Sequence, residues 1–156
     1  EMCIRDRAAV KEKKTTTVGL IAVFYQSGMI MIKLPSGRTL SYVRPRMTVN
    51  RFGSESVSYE GVGTNKKWGR IESYGAKFCE NIVQATARDI LAEAMLRLEK
   101  NGFDIVCHIH DEVVLEVPEG KSSVEEVNEI MAVCPSWCKG LPLKAAGFES
   151  PFYKKD

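Results

Sequence analysis

The feature that most constrains the fold is a long helical pattern between about Tyr74 and Lys100. Its apolar residues recur at spacings of three and four positions, which places them in one stripe along a helix. These residues are Val83, Ala87, Ile90, Leu91, Ala94, Met95 and Leu98. Asn101-Gly102 follows, and such a pair commonly ends a helix in a left-handed conformation. The sequence therefore predicts one long helix with an apolar face.

The segments before this helix alternate between apolar, β-branched runs and turn-forming residues. Runs of this kind are typical of strands, and Pro35-Ser36-Gly37-Arg38 is typical of a tight turn that places Arg38 at an exposed tip. The predicted strands are Thr15 to Phe24, Met29 to Leu34 and Thr39 to Val43. Pro45 to Lys67 is rich in Gly, Ser and Asn and predicts a loop-rich connection that contains a short strand, Ser56 to Tyr59.

A hairpin and a second helix are predicted after the long helix. Phe103 to His110 alternates as a half-buried strand does, and the apolar pattern resumes from Val113 to Val117. A helix is predicted from Ser123 to Val133, capped by Ser122 or Ser123 and with Glu125 and Glu126 in its first turn. Leu141 to Ala145 is predicted to be an edge strand. Helices and antiparallel strands in this order predict an α+β fold.

Composition limits the possible partners and location. The chain has 156 residues with 22 Lys and Arg against 20 Asp and Glu, so nucleic-acid binding would have to come from local basic clusters. Five irregularly spaced cysteines argue against a disulfide framework and for a reducing, cytoplasmic location. The apolar runs are too short to cross a bilayer, so no membrane is expected. Residues 1–7 show neither the helical nor the strand spacing of apolar residues. They are set apart as a doubtful leader to the segment 8–156.

The segment from His108 to Glu112 is the most informative for chemistry. Turns between two strands usually contain Asn-Gly or Asp-Gly, whereas this one contains Asp111-Glu112. Adjacent carboxylates repel one another, and a divalent cation would offset that cost. Their hard oxygen ligands suit Mg²⁺, which also keeps water and substrate phosphates in its shell. The alternative interpretation is that the same residues form an exposed acidic hairpin tip that binds no ligand.

His110-Asp111-Glu112, between apolar strands and ahead of Val117-Pro118, resembles motif C of A-family DNA polymerases. The preceding helix, Glu80 to Leu91, is similar to the helix that precedes motif C in that family. Further similarity to phage and prophage members covers Leu34-Pro35-Ser36-Gly37-Arg38, Trp68-Gly69-Arg70, Tyr74-Gly75 and Gly147-Phe148-Glu149. The resemblance covers the chain from about Ala8 onward. It implies a partial polymerase palm, an antiparallel sheet with a catalytic hairpin packed against a long helix.

The resemblance also implies roles for individual residues. Asp111 would bind Mg²⁺, Glu112 would support the metal site directly or through water, and His110 would lie near the primer terminus. Gln84 and Arg88 would face the primer-template duplex. Lys77, Glu80, Gln84 and Arg88 recur at helical spacing and form a polar stripe along a different face of the helix. Three further candidate DNA-binding residues are Lys77 in this stripe, Asn81 on the same helix and Arg38 at the tip of the first hairpin. Primer-template DNA and deoxynucleoside triphosphates are the expected partners.

The family pattern also exposes what this sequence does not contain. Two-metal phosphoryl transfer uses carboxylates on both sides of the ion pair. The family supplies the second aspartate from motif A, an Asp-Tyr-Ser-type strand, and binds the triphosphate with motif B, a helix with Arg and Lys. Neither pattern occurs here. We therefore expect a fragment that is inactive alone and needs a missing upstream polymerase part.

Two other functions are compatible with the sequence. A metal-dependent hydrolase could use His108, His110 and Asp111, although two histidines in the whole chain leave such a site short of ligands. A non-catalytic DNA-binding module could use the hairpin loops and the polar helix stripe. Steep salt dependence of DNA binding without Mg²⁺-dependent primer extension would indicate the second.

Overall fold

The computed structural model describes residues 2–50 and 53–154. It divides into two compact units, Glu1–Thr86 and Ala87–Asp156, and one long helix passes from the first into the second. The elements in chain order are α1 (Met2–Lys11), β1 (Thr16–Val18), β2 (Ile21–Gln26), β3 (Met29–Lys33), β4 (Thr39–Val49), β5 (Glu55–Val62), β6 (Trp68–Glu72), α2 (Gly75–Lys100), β7 (Asp104–Ile109), β8 (Glu112–Glu116), α3 (Val124–Met131) and a 3₁₀ turn (Ser136–Cys138). The predicted α+β class is confirmed.

The first unit is built on a six-stranded antiparallel sheet whose strands pair in chain order, β1 to β6. Such a meander needs only short connections between neighbouring strands. Its apolar face is closed by residues from α1 and from the first half of α2, which removes that face from water. The buried core consists of Ala9, Val10, Val23, Ile30, Ile32, Leu34, Tyr42, Val57, Phe78 and Ile82.

The first predicted strand is divided in two by a turn that the sequence analysis missed. Gly19 has a φ of +55°, a conformation that glycine adopts without a steric penalty, and β1 and β2 pair across it. The turn from Pro35 to Arg38 is confirmed, since Gly37 has a φ of +90° and donates its N–H to the Leu34 carbonyl at 2.9 Å. Thr39 begins the next strand as predicted.

The strand predicted at Ser56 to Tyr59 is confirmed as part of β5, but the loop-rich connection predicted around it from Pro45 to Lys67 is wrong, because most of it lies in β4 and β5. Pro45 is accommodated at an irregularity in the β4–β5 pairing between Val43 and Arg46, where the ladder needs no N–H from it. Arg44 takes a φ of +46° at that bulge. Glu60 of β5 accepts hydrogen bonds from Arg44 at 3.1 Å and from Arg70 at 3.0 Å, which holds the bulge in place.

Helix α1 occupies most of the segment that was set apart as a leader. It begins at Met2, and its later residues Ala9 and Val10 are part of the core of the first unit. Asp6 is 2% exposed, and burial raises the pKa of its carboxyl group despite the neighbouring Arg7 N–H and charge. Tertiary packing stabilises this helix, so it forms although the spacing of its apolar residues does not predict a helix.

Helix α2 confirms the predicted long helix, and Leu91, Ala94 and Leu98 of the predicted apolar stripe are buried, but the first part of the buried stripe differs from the predicted one. Phe78 and Ile82 face the core of the first unit, while Val83 is 61% exposed and Ala87 is exposed as well. The predicted end is confirmed: Gly102 has a φ of +81°, and its N–H donates to the Glu99 carbonyl at 2.9 Å.

The second unit contains the end of α2, the hairpin β7–β8 and helix α3. Its buried apolar side chains are Leu91, Ala94, Leu98 and Phe103. The hairpin forms a two-stranded sheet of its own. Helix α3 is capped as predicted, because Ser123 Oγ accepts the Glu126 N–H at 3.2 Å. The predicted edge strand at 141–145 is wrong, since residues 141–150 have no regular secondary structure and thus no partner strand.

Candidate functional site

The tip of the β7–β8 hairpin is a two-residue turn made of His110 and Asp111. Ile109 pairs with Glu112 immediately before and after it, and His108 pairs with Val113. The sequence analysis placed the turn at Asp111-Glu112, one residue too late. Glu112 instead begins β8, so its backbone is held by the strand pairing and only Asp111 of the two carboxylates belongs to the turn.

His110 takes the positive φ that a tight hairpin turn requires, with a value of +53°. Glycine adopts this conformation freely, but an L-residue is disfavoured there by about 1–2 kcal/mol. Asn, Asp and His are the non-glycine residues that tolerate it best. The turn therefore carries a small backbone strain at the residue that precedes the two carboxylates.

The carboxylates of Asp111 and Glu112 are both exposed at this tip. In the part of the chain that the structure describes, neither forms an ion pair or a side-chain hydrogen bond. Two neighbouring oxygen ligands on a short turn fit Mg²⁺, which takes one or two carboxylates and fills its remaining positions with water and phosphate. A site made only of protein ligands is not present, because the described residues contain no cluster of three or more His, Cys, Asp or Glu suited to a metal.

Arg88 on α2 contacts His108 on β7 within the second unit. Its Nη1 lies 3.1 Å from His108 Nδ1, and its Nη2 lies 3.2 Å from Nε2. Both residues are exposed. Since a cation faces both ring nitrogens, His108 is poorly placed to bind a metal ion at the same time. This contact joins the helix to the strand that ends at the acidic turn.

The remaining candidates lie in the first unit and differ in how their side chains are held. Lys77 forms an ion pair with Glu80 at 2.8 Å, and this contact raises the pKa of the lysine. Asn81 Nδ2 donates to the Tyr42 hydroxyl at 3.0 Å. Arg38 is exposed as predicted, but its Nη2 donates to the Ala85 carbonyl at 2.8 Å.

Gln84 is exposed, and no described residue bonds to its amide group. An amide that is free on a helix surface can donate and accept hydrogen bonds at the same time. Of the candidates in the first unit, Gln84 is thus the side chain most available to a ligand.

The chain is similar to two curated DNA polymerases. It is 49% identical over 150 residues to the DNA polymerase of Bacillus phage SP02, a match that covers 95% of this chain and 23% of the phage protein. This chain is related to DNA polymerases. It is also 32% identical over 77 residues to DNA polymerase theta of Drosophila melanogaster, which covers 40% of this chain and 4% of that protein. The predicted relationship to DNA polymerases is confirmed.

The chain spans about a quarter, 23%, of the length of the phage protein that it matches. No family profile matches the chain, and no solved structure does. None of the helices among the described residues has the length and apolar character needed to cross a bilayer.

Proposed function

We propose that this chain is the C-terminal palm segment of an A-family DNA polymerase of the phage and prophage type, and that it takes part in template-directed DNA synthesis. The observation that carries the proposal is the turn His110-Asp111 together with Glu112, which begins β8 directly after it. These residues present two exposed carboxylates at a constrained hairpin tip, in a chain that is 49% identical to a phage DNA polymerase over 150 residues.

The reaction joins the primer 3′ hydroxyl to the α-phosphate of a deoxynucleoside triphosphate and releases pyrophosphate. Bound Mg²⁺ would supply charge neutralisation at the phosphates and activation of the hydroxyl. Asp111 and Glu112 are the residues that would hold it. A two-residue turn leaves the backbone of Asp111 little freedom, which reduces the conformational entropy that has to be lost when its carboxylate binds the ion.

His110 is the third residue of the proposed site. Its ring precedes Asp111 on the turn and is exposed, so it is available to the primer terminus as the family pattern implies. The strained φ of +53° at this residue agrees with a functional role, because such conformations concentrate at sites where geometry matters more than stability.

DNA contacts in this proposal come from the polar stripe of α2 and from Arg38. Gln84 has a free amide for the edges of bases in the minor groove. Arg88, Lys77 and Arg38 supply positive charge for phosphates, and Asn81 adds an amide near them. The contacts that Lys77 and Asn81 already make would have to be exchanged for DNA contacts. The same holds for Arg88, which contacts His108, and we therefore assign Gln84 the largest contribution.

The missing parts would come from upstream of this segment. They are the second metal-binding aspartate of motif A, the triphosphate-binding helix of motif B, and the fingers. In this proposal the segment alone is inactive, its partners are that upstream part, primer-template DNA and deoxynucleoside triphosphates, and its location is cytoplasmic.

A chimera tests the proposal. The corresponding segment of the phage SP02 polymerase is replaced by the whole of this chain, including helix α1, and Mg²⁺-dependent primer extension is measured. We expect extension by the chimera and none by the isolated segment. A chimera that binds primer-template with the affinity of the phage enzyme and yet adds no nucleotide would favour a non-catalytic DNA-binding module.

The hydrolase alternative has less support. It requires His108 as a ligand, and both ring nitrogens of His108 lie within 3.2 Å of the Arg88 guanidinium. A cation at that place repels a metal ion. Retention of zinc by the chain after dialysis would support the hydrolase alternative.

A further inference from the structure

Cys134 and Cys138 bring two thiols together at the end of the second unit. Their sulfur atoms are 3.5 Å apart, and the Cys134 thiol donates to the Cys138 carbonyl at 3.1 Å. The 3₁₀ turn Ser136–Cys138 produces this approach, because the Cys138 N–H donates back to the Pro135 carbonyl at 3.1 Å. Neither the fold nor the proposed polymerase reaction needs two thiols here.

The turn that carries the thiols is held against α2. The indole N–H of Trp137, between the two cysteines in sequence, donates to the Glu93 carboxylate. Arg97 donates to the carbonyls of Ile130 at 3.2 Å and Val133 at 2.9 Å, just before Cys134. Since the backbone on both sides is fixed, little conformational entropy remains to be lost when the two sulfurs join.

The other cysteines whose side chains are described differ from this pair. Cys79 and Cys107 are exposed, and no sulfur lies within hydrogen-bonding distance of either. Among the described residues, neither has a second sulfur close enough to form an intramolecular disulfide. They therefore serve as internal controls for the pair.

We propose that Cys134 and Cys138 form a reversible modification site, in which a low-molecular-weight disulfide such as oxidised glutathione converts the two thiols into an intramolecular disulfide. A disulfide bond is about 2.0 Å long, so the sulfurs have to approach by about 1.5 Å from their 3.5 Å separation. Rotation of the two side chains supplies a movement of this size without unfolding the turn.

The exchange takes two steps. The Cys134 thiolate attacks one sulfur of the small disulfide, which breaks the S–S bond and releases one thiol with the proton that Cys134 lost. Cys138 then loses its proton and attacks the Cys134 sulfur, which releases the second thiol and leaves the protein disulfide. The protein gives up two electrons and two protons, and the small disulfide gains both.

The order of attack follows from the surroundings of the two thiols. Burial, the Cys134 thiol and Glu93 raise the pKa of Cys138 to about 11, so this thiol is protonated at neutral pH. Cys138 is therefore the slower nucleophile and attacks second. Once Cys134 is part of a mixed disulfide, its hydrogen bond and charge no longer raise the pKa of Cys138, which favours the second step.

Peptide mapping tests the proposal. The whole chain is incubated with mixtures of oxidised and reduced glutathione, and free thiols are then alkylated at low pH. The mass of the tryptic peptide 122–139, which contains both cysteines, is measured by mass spectrometry. We expect this peptide to lose two hydrogens and to carry no glutathione. The Cys107 peptide of the same digest is expected to carry glutathione, and to lose it at a lower proportion of reduced glutathione than the pair needs.

Two variants separate the steps. Cys138→Ser is expected to trap glutathione on Cys134, because the second attack is no longer possible. Cys134→Ser is expected to gain glutathione on Cys138 more slowly than Cys138→Ser gains it on Cys134, because burial and Glu93 still raise the pKa of the Cys138 thiol. A wild-type peptide that carries two glutathione molecules, or two alkyl groups under conditions that modify Cys107, would overturn the proposal.

Discussion

Both terminal nitrogens of the Arg88 guanidinium lie within 3.2 Å of the two ring nitrogens of His108. A neutral imidazole has a single acceptor nitrogen, so Arg88 donates only one hydrogen bond to the ring. The second terminal nitrogen of Arg88 lies against the other ring nitrogen without a hydrogen bond. His108 lies on β7, two positions before His110 in the acidic turn. The contact therefore joins α2 to the strand that leads into the turn with Asp111.

The first prediction concerns this contact. A double-mutant cycle with Arg88→Ala and His108→Ala is expected to give a coupling of about 0.5–1 kcal/mol in the free energy of unfolding, the usual range for one hydrogen bond at an exposed site. Urea unfolding of the two single variants and the double variant measures it. Strictly additive effects would show that the two side chains do not interact in solution.

The second prediction concerns the turn. His110→Gly is expected to be about 1 kcal/mol more stable than His110→Ala, because glycine relieves the positive φ of +53° and alanine does not. Thermal unfolding of the two variants gives the difference. Lys121→Ala provides a control for surface truncation in the same unit. Equal stability of the two His110 variants would mean that the turn is not strained.

The third prediction concerns the end of α3. Arg97→Ala is expected to lower the free energy of unfolding by about 2 kcal/mol, since carbonyls at the end of that helix lose a charged donor. Lys100→Ala, which removes an exposed cation one turn further along α2, is the matched control and is expected to change little. If the free energy of unfolding falls equally in both variants, the Arg97 hydrogen bonds do not stabilise the unit.

The fourth prediction concerns buried Asp6. Its pKa is raised in the folded state, so the folded chain binds a proton more tightly than the unfolded chain. Stability from this group is then greatest at low pH and is lost as the pH rises from the ordinary value of 3.8 through the raised folded value. Asp6→Asn, which can still accept the Arg7 N–H, is expected to be more stable than the parent chain at pH 7.

The advantage of Asp6→Asn is expected to shrink when urea unfolding is repeated under acidic conditions, where Asp6 is neutral in both states. Glu12→Gln, at an exposed position just beyond the end of α1, is the control for loss of one negative charge. An advantage that does not depend on pH would rule out the titration of Asp6 as its cause.

Elements defined by local patterns could be predicted from the sequence. The spacing of apolar residues and the Asn101-Gly102 ending were sufficient for α2, and Ser123 with its following glutamates was sufficient for α3. The Phe103–Val117 hairpin followed from alternation alone. Each of these signals depends on neighbours within a few residues of the chain.

Elements defined by distant contacts could not be predicted. β4 continues past Pro45 because β5 pairs with it on both sides of the bulge, and no local pattern reveals this pairing. Helix α1 is stabilised by the sheet that it covers. Leu141 to Ala145 has the alternation of a strand, but a strand forms only where another one offers hydrogen bonds.

The candidate site shows the same division. Asp111, Glu112 and His110 could be predicted, because their types and their place between two strands are local features. The Arg88–His108 contact joins residues 20 positions apart, and the sequence analysis assigned Arg88 to DNA and left His108 to the hydrolase alternative. No signal in the printed sequence pairs them.

The measurement that tests the central claim most directly is the rate of single-nucleotide addition by the chimeric polymerase carrying Asp111→Ala. We predict a loss of about a thousandfold or more, equivalent to about 4 kcal/mol of transition-state stabilisation, with primer-template still bound. Asp104→Ala, at an exposed position on the same hairpin, is predicted to leave the rate unchanged. An Asp111→Ala chimera that extends primers as fast as its parent would contradict the account.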